Sequence, residues 1–150
     1  MPSIVIFLLA AIFLFQRPSF VANQQYQTIR DASKSAAADS MLLTFNSVRH
    51  FAESNPARTG IITPDLWSTI MPVWYTGGYS MQGYTENGRA YVWTLGSQAN
   101  DAHAGLAEQG ATARISVGTA KQNMLVNSVT GPTGITLPGT IPDGALVYAG

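Results

Sequence analysis

The sequence predicts an α+β protein: an N-terminal membrane helix, a long amphipathic helix, then a small antiparallel sheet with a packed helix. Three stretches carry that expectation. Met1 to Phe15 holds no charged side chain and is almost wholly apolar. Met41, Leu42, Phe45, Val48 and Ala52 recur at three- and four-residue spacing, which is one face of a helix. Asn87-Gly88 stands between two strand-like runs, the strongest short hairpin signal a sequence offers.

The first stretch sets the domain organisation: residues 1–22 as a transmembrane anchor and 23–150 as a single α+β domain, with 130–150 a Pro/Gly-rich tail. The anchor side chains are Ile4, Val5, Ile6, Phe7, Leu8, Leu9, Ile12, Phe13, Leu14 and Phe15. A helix from Met1 to Phe15 rises ~22 Å, short of a ~30 Å hydrocarbon core. Continuing it through Pro18 to Ala22 closes the gap, with Arg17 reaching to the headgroups along its own stem. A cleaved secretory signal is the competing reading. No Lys or Arg precedes the run, and bulky Phe20 stands where a cut after Ala22 wants a small residue, so retention is expected. A buried core helix is the third reading, and a run apolar all round is hard to hide in 150 residues. Charge counting gives little orientation, and what it gives leans toward a cytoplasmic C-terminal domain.

Composition narrows the function classes. Hydrophobic residues make up 46% and charged residues 11%, the latter well under the ~25% of ordinary soluble domains. Eight basic and eight acidic residues cancel, and no basic run exists, so nucleic acid has no electrostatic footprint to follow. The absence of Cys excludes disulfides, thiolate metal sites and thiol catalysis. A neutral, sparsely charged surface has little self-repulsion and suits a member of an assembly, homo-oligomers included.

The remaining elements follow in order. Asn23 to Ser54 reads as one helix or two in series, ended by Asn55-Pro56, since a residue before proline avoids the α region. Its apolar stripe faces a core, and Asn46, Arg49, His50 and Glu53 face water. Thr63-Pro64-Asp65 opens a helix of about two turns with N-cap, first-turn proline and acid in sequence. Met71-Pro72 closes it, and Trp67, Trp74 and Tyr75 form the densest aromatic group, a corner of the core or a candidate interface. Tyr79 to Tyr84 and Arg89 to Thr94 are expected strands, with Glu86 opposite Arg89. Tyr91 and Trp93 take one face, Ala90 and Val92 the other, as in a central strand. A helix over about Gln98 to Gln109 buries Ala99, Ala102 and Leu106 and ends on Gly110, a left-handed cap. Arg114 to Gly118 is a third expected strand, with Ile115 and Val117 inward. Lys121-Gln122-Asn123 turns the chain into a fourth, Met124 to Val129. In the tail, Ile135 to Leu137 and Ala145 to Tyr148 are expected as short edge strands around a Pro142-Asp143-Gly144 turn, or else the tail is solvated. Apolar Leu146, Val147 and Tyr148 are candidate interface residues that could dock on this chain or on a partner's sheet edge.

No constellation of acid, base, nucleophile or metal ligands emerges, so no catalytic, cofactor or metal residue is assigned and no enzyme is expected. His50 reads as a surface residue, and Asp101 and His103 are two apart on a helix and do not face each other. Gly77-Gly78 lacks the Lys of a phosphate loop.

The start Met1-Pro2-Ser3-Ile4-Val5, the central Pro64-Asp65-Leu66-Trp67-Ser68 with Pro72-Val73-Trp74, and Ala90-Tyr91-Val92-Trp93-Thr94 resemble the PilM family of type IVb thin pilus systems. The resemblance covers the whole chain by length and layout. It implies an inner-membrane protein with a periplasmic domain, in the pilin transport apparatus and basal body of a thin pilus used in conjugation. Implied partners are other pilus assembly proteins or pilin, and lipid through the N-terminal helix. A minor pilin or pseudopilin is the nearest rival, but it carries a basic leader and a Glu early in its helix, and here no Glu precedes Glu53. A secreted soluble binding module remains if the first segment is cleaved.

Overall fold

Helix α1 runs unbroken from Pro2 to Ser54 in a computed structural model that describes residues 2–75, 80–114 and 116–150, with the backbone alone over 2–23. Pro18 therefore neither ends nor restarts the helix. The chain divides into two compact units, Met1–Ser33 and Lys34–Gly150. In the first, the side chains from Gln24 to Ala32 are exposed, and Thr28 Oγ1 donates to the Gln24 carbonyl at 2.9 Å. The expected anchor residues, Ile4 to Phe15, lie outside the described side chains. Among the residues whose side chains are described, from Gln24 onward, no helix is long and apolar enough to cross a membrane.

The second unit is a seven-stranded sheet, antiparallel throughout, in the order β1-β2-β3-β7-β4-β5-β6. The strands are β1 Gly60–Ile61, β2 Gln82–Glu86, β3 Arg89–Thr94, β4 Val117–Lys121, β5 Met124–Asn127, β6 Gly131–Thr136 and β7 Leu146–Ala149. Helices α2 (Pro64–Ile70) and α3 (Gly96–Glu108) complete it. One face packs on the C-terminal half of α1. Ala37, Ala38, Met41, Phe45, Val48 and Ala52 are buried there against Val92, Val117, Leu146 and Tyr148, with Phe45 stacked on Tyr148 at 4.1 Å between ring centres. That is the stripe read from the sequence, with Leu42 half-buried at its margin. Small residues Ala99, Ala102 and Gly105 bring α3 onto the same layer. The opposite face buries Tyr91, Trp93, Leu125 and Val147 beneath Leu137 and Ile141 of the β6–β7 connection.

The hairpin is as its turn chemistry requires: Asn87 and Gly88 have φ of 51° and 76°, and Glu86 opposes Arg89. Gln122 and Asn123 repeat the device between β4 and β5 with φ of 52° and 60°. Gly110 caps α3 in the left-handed region as expected, at φ 70°.

Three expectations need correction. The strand expected at Arg114–Gly118 begins later, at Val117, after a 3-10 turn over Ala111–Ala113. Carbonyls that a ladder would use, those of Thr112, Arg114 and Val117, are held instead by Asn127 Nδ2 at 2.7–2.9 Å. Ile115 lies outside the described residues. The first hairpin strand begins at Gln82, later than expected, and Tyr79 is likewise outside the description. Residues 130–150 are not a loose tail. Leu146, Val147 and Tyr148 form β7, which sits between β3 and β4 in the middle of the sheet and is buried on both faces. An apolar run of four with no alternation suits a strand covered on both sides, which is why it is central and not an edge. The edge strand of this region is β6, where Pro132 and the left-handed Gly134 blunt pairing with anything further.

Candidate functional site

Of the six candidate interface residues, the fold keeps one on the surface. Leu146, Val147 and Tyr148 are core residues whose side chains and backbone are all engaged within the chain. Trp67 is half-buried: its ring lies over the backbone of β2, where a Cβ on Gly83 would come within 3.1 Å of it. Tyr75 is half-buried, and its hydroxyl meets Ser40 Oγ of α1 at 2.6 Å. Trp74 is 72% exposed, and Val73 beside it is fully exposed. The aromatic group expected as one patch is therefore two core-facing rings that hold a third outward.

The local sequence explains that arrangement. α2 ends where Met71 N–H donates to the Trp67 carbonyl at 3.0 Å, and Pro72 prevents another helical turn. Tyr75 N–H then donates to the Pro72 carbonyl at 2.8 Å, closing a tight turn. With Trp67 pinned before this turn and Tyr75 after it, Val73 and Trp74 project from its tip.

A groove of ≈ 500 Å³ lies next to this turn, between the last turns of α1 and α2. Phe51 and Ile70 supply its apolar lining, and Asn46, Ser47, His50 and Thr69 its polar one. None of these side chains carries a fixed charge. Arg49 and Glu53, which do, pair with each other on the exposed face of α1 at 3.6 Å.

The histidines stand apart. His50 is exposed on the groove, and His103 of α3 has its Nε2 3.2 Å from Ser128 Oγ after β5. Among the described residues no three His, Asp or Glu side chains are grouped as a metal would need.

Sequence reasoning missed the buried Asn127. Its two amide hydrogens are shared among three carbonyls, and its Oδ1 accepts from the N–H groups of Val129 and Thr130 at 2.8 and 2.9 Å. One side chain thus fastens the β5–β6 turn to the start of β4. An Asn at the end of a strand is also an ordinary turn residue, so composition alone gave no warning.

With the geometry in place, the family is decided by comparison. The sequence matches the PilM family over residues 4–149. The chain belongs to the PilM family. Membership ties it to type IV pilus biogenesis. The crystal structure of a protein assigned as PilM from Escherichia coli B7A is similar in fold, with a TM-score of 0.53 at 18% identity. The match covers 79% of this chain and 92% of that one. A protein assigned as PilM from Pseudomonas aeruginosa 2192 is 27% identical over 78% of this chain and 92% of its own, with a TM-score of 0.39. No curated protein matches the chain.

Proposed function

We propose that this member of the PilM family is a structural component of the inner-membrane apparatus of a type IVb thin pilus, in its pilin transport machinery and basal body. It is held in the membrane by residues 1–22, carries its folded unit in the periplasm, and works by protein–protein contact without catalysis. Family membership supports the pilus setting, and the apolar run Ile4–Phe15 supports the anchor. The observation that carries the contact mechanism is Trp74. A tryptophan 72% exposed, on a turn fastened at both ends, contributes little to its own fold and is well placed to bind another surface. The partners fitting this reading are other pilus assembly proteins or pilin. Deleting the gene should abolish thin pili and conjugation in liquid, and normal piliation in its absence would end the proposal. A periplasm-dependent reporter joined after Gly150 tests the topology, and activity of a cytoplasm-dependent reporter there would reverse it.

A second reading, a pilin-like subunit that enters the filament itself, is favoured by one observation. α1 is a single helix of 53 residues whose C-terminal part packs on an antiparallel sheet. Recovery of the protein in sheared, purified pili would select this reading over the basal one.

A further inference from the structure

We propose that Val73 and Trp74 of one copy seat in the α1–α2 groove of a second copy, giving a two-fold dimer of the folded unit. This rests on the reading of Trp74 as a contact surface and goes beyond it by naming what that surface meets.

The prong is built before it binds. Pro72, the Tyr75 N–H to Pro72 bond and the Tyr75–Ser40 hydroxyl pair fix its direction, so little ordering entropy is lost on association. The groove matches it in character. The groove lining includes no Asp, Glu, Lys or Arg side chain, and the Arg58 guanidinium stands 5.6 Å from the centre of the Phe51 ring, a cation of the kind that meets the face of an indole. Phe51 and Ile70 offer apolar surface to the ring, and the side-chain oxygens of Asn46, Ser47 and Thr69 offer acceptors to its N–H. The groove's ≈ 500 Å³ of open space is enough for a tryptophan with a valine beside it.

The placement favours a closed pair over an open chain. The prong is tied to α1 at Ser40 and the groove occupies α1 from Asn46 onward, so both lie along one flank of the same helix. Two copies facing each other with these flanks antiparallel each give a prong and receive one, the self-complementary arrangement of an isologous dimer. A tryptophan offers ~150–250 Å². Two prongs with their valines and the matching groove walls reach about 1,000 Å², where specific interfaces begin.

The test uses the full chain in mild detergent. Sedimentation should show a reversible dimer, and Trp74→Ala should weaken it by roughly tenfold or more with the melting temperature unchanged. Ser47→Arg, which puts a charge in the groove, should do the same. The chain has no Cys, so a mixture of Val73→Cys and Thr69→Cys proteins should form a mixed disulfide that neither forms as efficiently alone. A wild-type protein that stays monomeric overturns the proposal. So does a dimer indifferent to Trp74→Ala with no mixed disulfide, as a dimer held by its N-terminal helices would be. Should Ser47→Arg fail to fold, Trp74→Ala and the disulfide still decide. A monomer whose Trp74→Ala form nonetheless loses pili would sink self-association while leaving Trp74 a contact for another protein.

Discussion

Gly105 of α3 lies against the backbone carbonyl of Lys34 in α1. There is no room for a side chain: a Cβ on Gly105 would strike that carbonyl and come within 2.8 Å of the Ala38 Cβ. Around this contact Lys34 reaches Glu108 at 3.6 Å, and Gln109 donates to Asp39 at 2.9 Å, so the two helices are in register as well as close. Gly105→Ala should therefore destabilise the fold by about 1–3 kcal/mol, the usual cost of overpacking. Ala107→Ser, on the exposed side of the same helix, should stay within about 0.5 kcal/mol. Chemical denaturation of the two variants checks the contrast, and equal midpoints would contradict the close approach.

The Asn87-Gly88 turn makes a second prediction. Gly88→Val should cost about 1 kcal/mol or more, because a β-branched residue resists a φ of 76°. Open space around the position is no help, since the nearest atom to an added Cβ, on Pro56, is 3.6 Å away and the strain is in the backbone. A melting temperature equal to that of wild type would count against the turn.

The Asn127 side chain makes five hydrogen bonds. Asn127→Leu should take the side-chain donor from the buried carbonyls of Thr112 and Val117, and leave that of Arg114 only the Val117 N–H at 3.2 Å, at a cost of about 3 kcal/mol or more. Asn127→Asp is expected to be at least as damaging, because a carboxylate offers those three carbonyls no donor. Hydrogen exchange of the Val129 and Thr130 amides should report the same loss locally; unchanged protection would show that the side chain does not hold the turn.

Thr44 predicts the opposite sign. Its Oγ1 is buried on the core face of α1 and finds no partner among the described residues. Thr44→Val keeps the shape and removes the unmet hydroxyl, so it should stabilise by about 1 kcal/mol. A destabilised variant would mean that the hydroxyl is satisfied in solution.

Much of the fold was legible because local chemistry and tertiary packing agree. The Met41–Ala52 stripe, the I′ turn at Asn87-Gly88, the small face of α3 and its Gly110 cap each carry a local signature that packing then uses. β7 was illegible for the reverse reason. Ala145 to Tyr148 sits between Pro/Gly-rich turns that read as a tail, and its central place is fixed by pairing with β3 and β4, over fifty residues before it in one case. Deleting Ala145–Gly150 would thus remove the middle of the sheet and unfold the unit, not expose a docking defect. The late start of β4 was hidden because a side chain from another strand takes its carbonyls. The candidate interface was half legible: composition gathered Trp67, Trp74 and Tyr75, but only burial separates the two rings that pack from the one that faces out.

That separation is what the functional account stands on, and Trp74→Ala tests it most directly. Supplied to a strain lacking the gene, the variant should accumulate in the membrane at wild-type level and melt at the wild-type temperature, yet yield few or no thin pili by electron microscopy. Wild-type pilus numbers from Trp74→Ala at equal protein level would contradict a contact role for this surface.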